Sequence, residues 1–120
     1  MKYLNLIGGG FQHSTSSSWY YHPEFIIWNK YPDTSADISI YVDNAIIEIP
    51  VDKSKKNYCW IAESSAIVLN VVEWIKNNKK YIEENFVYIF TYDKSLLNIT
   101  NNVRYVTPNW LPWVDFSLHD

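Results

Sequence analysis

The sequence is poor in four things: it has one arginine, Arg104, one cysteine, Cys59, one methionine, and three glycines that all fall in one run, Gly8 to Gly10. A lone cysteine excludes an intrachain disulfide framework and a cysteine-rich zinc site, and it fits a reducing compartment. Within "YCWIA" the thiol reads as a small buried hydrophobe. A single guanidinium with a formal net charge of -3 argues against a nucleic-acid-binding module, which would carry a basic stripe. Only about five apolar residues precede the glycines, too few for a signal peptide or a membrane span. The expectation is therefore a cytoplasmic protein with no membrane span, in which the sequon at Asn98 carries no meaning. The three histidines, His13, His22 and His119, are too dispersed to show metal-ligand spacing.

Hydrophobic residues, by contrast, make up 48% of the 120 positions, enough for one core in a single domain spanning residues 1–120. Aromatic residues reach 18%, with six Trp and ten Tyr. Such rings serve core packing first, and sugar stacking or a homo-oligomer interface second. Heavy use of Ile, Asn, Lys and Tyr is the usage of AT-rich DNA, common in some phages and marine bacteria; if phage-encoded, the protein is expected in the host cytoplasm.

Hydrophobic patterning gives an alternation of strands and helices. Strands are expected at Tyr3–Ile7, Glu24–Trp28, Ile38–Val42 and Ala45–Ile49, the last two as a hairpin or as consecutive strands around Asp43 and Asn44. "PVDKSKKN" reads as a charged, solvated loop. The run Tyr58–Ala62 fits a central strand, and Ser64 or Ser65 is placed to cap a helix with apolar positions Ile67, Val68, Val71, Val72 and Ile75, ending near Asn77. A short helix over Lys79–Asn85, a strand at Phe86–Phe90, a brief helix capped by Thr91 or Asp93, and a strand at Val103–Thr107 complete the series. Strand, helix, strand, helix, strand predicts a mostly parallel sheet with right-handed crossovers, a Rossmann-like α/β domain. The tail 108–120, with two prolines and two tryptophans, reads as irregular.

The glycine run invites a dinucleotide-loop reading, which fails on spacing. The fingerprint needs a small residue where His13 stands, a crossover helix after it and an acidic residue ending the second strand, which here ends at Asn29. Ser14 to Ser18 lack the strand-to-helix turn of a nucleophile elbow. What remains is a loop at the exit of the first strand, on the side where α/β folds hold their ligands.

The strongest constellation is "WIAESSAI", Trp60 to Ile67. It places Glu63 at the end of the expected central strand and just before a helix. There backbone N–H groups can hold a carboxylate that serves as general base. The plain alternative is a helix N-terminal acid favoured by the dipole.

"WIAESSAI", then "FVYIFTYDKSLL", then "VRYVTPNW" resembles the N-terminal half of glycosyltransferase family 10, the α1,3-fucosyltransferase-like proteins, above all the versions of phages and marine microbes. The opening "LIGGGFQHSTSSSW" is similar to the start of the phage versions. The resemblance implies the N-terminal, acceptor-side domain of a two-domain GT-B enzyme that transfers a sugar with inversion from a nucleotide-sugar such as GDP-fucose to a carbohydrate acceptor, with no metal and no further cofactor. It implies Glu63 as general base on the acceptor hydroxyl. His13, Ser64, Tyr92 and Asp93 would line the cleft, and Trp19 and Trp110 would be sugar-stacking platforms. Ser65 departs from the family, which has proline or arginine there. The family's donor-binding half has no counterpart up to Asp120, so a second domain or chain is expected as partner. The alternative is a non-catalytic, phage-associated sugar-binding or structural module.

Overall fold

A computed structural model describes residues 2–8, 26–29, 36–63 and 66–106. Among the described residues six strands form one sheet: β1 (Lys2–Ile7), β2 (Ile26–Asn29), β3 (Ile38–Val42), β4 (Lys56–Trp60), β5 (Ile89–Thr91) and β6 (Val103–Tyr105). Their order is β2-β1-β3-β4-β5-β6, and every pairing is parallel. This is a Rossmann-like α/β arrangement in which the chain reverses direction across the sheet between β1 and β3. Ligands of doubly wound sheets sit at such a switch point, beyond the carboxyl ends of the strands.

Helices α1 (Ala45–Glu48), α2 (Leu69–Asn77) and α3 (Lys79–Asn85) and a 3₁₀ turn at Lys94–Leu96 make the described crossovers. They cover one face. Strand residues Ile7, Tyr41, Cys59, Ile89 and Val103 meet Ala45 and Ile46 of α1, Val71, Val72 and Ile75 of α2, Ile82 of α3, Phe86 and Leu96 in one buried cluster. The spacing of Val71, Val72 and Ile75 gives α2 a single apolar stripe, and that stripe is the part of it buried in the cluster. Tyr41 and Phe86 meet edge-on, with centroids 5.9 Å apart.

A buried polar row crosses the same face at the β1 side. Asn5 stands in register with Asn29 on β2 and with Ser39 on β3, and Ser39 with Asn57 on β4. Asn5 donates to Ser39 Oγ at 3.1 Å and accepts from Asn29 at 3.4 Å, so the β2, β1 and β3 members of the row are joined by hydrogen bonds, whereas the Asn57 amide donates out of the row to the carbonyls of Asp52 and Lys55.

Three expectations need correction. The strand read over Phe86–Phe90 starts only at Ile89, because Phe86 still closes α3 with its N–H on Ile82 O at 3.1 Å. "AIIEI" is not a strand: Ala45–Glu48 is helical, with Ile46 N–H donating to Asp43 O at 3.0 Å and Glu48 N–H to Asn44 O at 3.0 Å. The reason is the turn before it. Asp43 adopts φ 50°, which swings the chain out of the sheet, and burial of Ala45 and Ile46 outweighs the β preference of two isoleucines. The cap expected at Ser64 or Ser65 is also displaced, because α2 begins at Leu69 with Val68 as its N-cap and no side-chain cap, while Ile67 is 69% exposed. The cap on the 3₁₀ turn is as expected: Asp93 Oδ1 accepts the Ser95 N–H at 2.9 Å. Ser64, Ser65 and the tail after Val106 lie outside the described residues.

Candidate functional site at the carboxyl edge of the sheet

Three neighbouring strands, β3, β4 and β5, each lead to a carboxylate within three residues of their ends: Asp43, Glu63 and Asp93. Next to them Gly8 leaves β1 at the switch point. Its missing side chain matters there, since a Cβ on it would stand 3.0 Å from Val42 Cβ and 3.3 Å from Val42 O. Glycine lets β1 and β3 close at the point where they would otherwise splay.

Asp43 organises the edge. Its Oδ1 accepts the N–H of Ala62 at 2.9 Å and of Glu63 at 3.3 Å, while its own N–H donates to Trp60 O at 3.0 Å. The segment leaving β4 is thereby tied to the turn leaving β3. Burial pushes the Asp43 carboxyl above its ordinary range; the two N–H donors act against that, and the nearby charge of Glu63 adds to it. Glu63 is exposed. The Tyr92 phenol is raised as well, by desolvation first and then by the charges of Glu63, Asp43 and Asp93. Asp93 places one carboxylate oxygen on Ser95 N and Ser95 Oγ, at 2.9 and 2.7 Å, while its Oδ2 is buried with no partner among the described residues.

Glu63, Tyr92 and Asp93, all expected from sequence, thus share one edge with Asp43. His13, Trp19, Ser64 and Trp110 lie outside the described residues. The carboxylate clamped by backbone N–H groups is Asp43 rather than Glu63, whose own N–H is one of the clamping donors, and α2 starts six positions after Glu63. Asp43 was read only as part of a turn; its signal is an acid directly after a β-branched run, at the end of a strand.

Among the described residues no group of three histidine, cysteine, aspartate or glutamate side chains is placed to hold a metal ion, and no helix is long and apolar enough to cross a membrane. Cys59 is fully buried in β4, and burial pushes its thiol well above the usual range, away from the thiolate that nucleophilic or ligand chemistry needs. A polar cavity of about 280 Å³ lies at the opposite end of the sheet, lined by Lys53, Lys55, Asn57, Glu84 and Asn85. Lys55 donates to Ala36 O and the Asn57 amide to the carbonyls of Asp52 and Lys55, while Asn57 Oδ1 is buried with no partner among the described residues.

The arrangement defines a parallel α/β sheet with an acidic carboxyl edge. Compared with family models, with curated proteins and with solved structures, the chain finds no match.

Proposed function

We propose that the protein is the acceptor-side domain of a fucosyltransferase-like glycosyltransferase, working with a donor-binding partner, and that Glu63 takes the proton of the attacking sugar hydroxyl. The observation that carries this reading is the set of carboxylates Asp43, Glu63 and Asp93 at the exits of three adjacent strands. Such an edge repels a diphosphate and accepts hydrogen bonds from hydroxyl groups, which suits a neutral polyhydroxyl acceptor better than a nucleotide donor. Direct displacement at an anomeric carbon needs one base on the acceptor hydroxyl, and an exposed carboxylate fixed by its backbone fits that part. Asp43 positions it through the amides of Ala62 and Glu63.

The test is sugar transfer from GDP-fucose to a glycoside acceptor, with and without a donor-binding chain. Glu63→Gln is expected to abolish transfer while leaving the fold and acceptor binding unchanged. A wild-type chain that neither transfers sugar nor binds an acceptor at millimolar concentration refutes the reading, and a non-catalytic module then takes its place.

A further inference from the structure

The second face of the sheet differs from the first at β4, β5 and β6. Helices α1 to α3 all pack on the Cys59 side. Alternation along the strands sends Lys56, Tyr58 and Trp60 of β4 to the other side, together with Tyr88, Phe90 and, on β6, Arg104. Tyr58, Tyr88 and Phe90 form a triangle of rings: Tyr58 to Phe90 is 6.1 Å with an interplanar angle of 11°, Tyr58 to Tyr88 is 6.3 Å, and Tyr88 to Phe90 is 6.2 Å. The Arg104 guanidinium lies 4.5 Å over the Tyr88 ring and is pinned there by donating to the carbonyls of Asn101 and Val103. Lys56, Tyr88 and Arg104 are exposed, and Tyr58, Trp60 and Phe90 half-buried. Among the described residues these three strands put two cations and four rings on this face, and no acid.

We propose that this face binds single-stranded nucleic acid, with bases stacking on Tyr58, Tyr88 and Phe90 and phosphates meeting Lys56 and Arg104. The rings alone would suit a base or a sugar. What decides between them is charge: two cations among the rings, with no carboxylate from the described residues of these strands, complement the full negative charges of phosphates, which a neutral sugar does not carry. The chain-wide charge of -3 conceals the patch, because it sums over the whole chain and three of the described acids gather at the carboxyl edge. The platform is a sheet face and the carboxylates are strand ends, so this inference stands or falls apart from the glycosyl-transfer reading.

Fluorescence anisotropy of a labelled oligothymidylate, titrated with the full chain over a series of salt concentrations, tests it. Two neutralised phosphates predict a slope of log K against log salt of about -1.4. Lys56→Gln, an exposed change that leaves the fold alone, and Arg104→Gln should each reduce the slope to about -0.7. Tyr88→Leu and Phe90→Leu, which keep apolar bulk while removing a ring, should each weaken binding about tenfold. The proposal is overturned if the oligonucleotide does not bind, if binding is insensitive to salt or to the ring variants, or if the rings prove to be covered in a self-associated form. It is equally overturned if a neutral oligosaccharide, not the oligonucleotide, is what the ring variants lose.

Discussion

The carboxylate of Asp43 reaches across from the exit of β3 to the exit of β4, where its Oδ1 accepts the N–H of Ala62 at 2.9 Å. Two crossover segments that share no regular structure are locked by one side chain, which leaves Glu63 at a fixed place on the carboxyl edge. The bond lies at the site rather than in the core, so its loss is read in both stability and geometry.

Asp43→Ala should cost about 2 kcal/mol in chemical denaturation, the range for hydrogen bonds to a charged group, with a further cost because alanine resists φ 50°. Asp43→Asn keeps an acceptor oxygen and tolerates the left-handed backbone, so it should lose much less. A loss in Asp43→Asn as large as that in Asp43→Ala would contradict the stabilising role of the acceptor oxygen that holds Ala62 and Glu63.

The pH dependence of Asp43 has a definite sign. Its folded pKa lies above the unfolded carboxylate value of 3.8, so the native state holds the proton more tightly. Its contribution to stability is complete below 3.8 and is lost as pH rises through the raised folded value. Relative to wild type, Asp43→Asn should gain stability on raising pH through that window and run parallel above it. Asp52 works oppositely: its carboxylate is held below the ordinary value by the Ser54 hydroxyl and N–H, so its contribution is present above 3.8 and fades as pH falls through the lowered value. An Asp43→Asn curve parallel to wild type throughout contradicts the assignment.

Gly8→Ala places a methyl group 3.0 Å from Val42 Cβ, and the backbone of two paired strands must move to admit it. A loss of about 1–3 kcal/mol is expected, the range for overpacking. Urea denaturation checks it, and a neutral or stabilising result would show that β1 and β3 are more loosely joined than described.

Cys59 should resist thiol reagents under native conditions, since it is 0% exposed and its thiol is held protonated. Labelling should then report opening of the core. Ile75→Ala, which empties a site that is also 0% exposed, should cost about 2–5 kcal/mol and speed labelling accordingly. Rapid labelling of the wild-type chain contradicts this packing.

Much of the architecture was legible because period and composition agree with the tertiary solution. "ISIYV" is β-branched and aromatic, with Ser39, Tyr41 and Val42 buried and Ile38 and Ile40 half-buried, and it forms β3 with the bounds expected. The stripe of Val71, Val72 and Ile75 likewise fixes α2, and Asp93 is a cap in sequence and in structure. "AIIEI" was misread because its local preference for a strand competes with a constraint that acts at a distance. A chain leaving a parallel strand must climb away from the sheet before it can re-enter, and Asp43 at positive φ starts that climb. Part of the site was legible for the same reason as the strands: residues at strand exits gather on one edge, which placed Glu63, Tyr92 and Asp93 together. Asp43 was missed because its role depends on β3 and β4 being neighbours, a pairing that Ser39, Tyr41 and Val42 do not disclose until their partners Asn57, Cys59 and Trp60 are aligned beside them.

The central claim, that the carboxyl edge holds a hydroxyl-bearing acceptor, is tested most directly by backbone amide NMR of the full chain during titration with a methyl glycoside and, separately, with GDP. The account predicts that the amides of Ala62, Glu63 and Tyr92 shift with the glycoside and stay in place with GDP, and that Glu63→Gln retains the glycoside response. Shifts at this edge with GDP but not with any glycoside would contradict it.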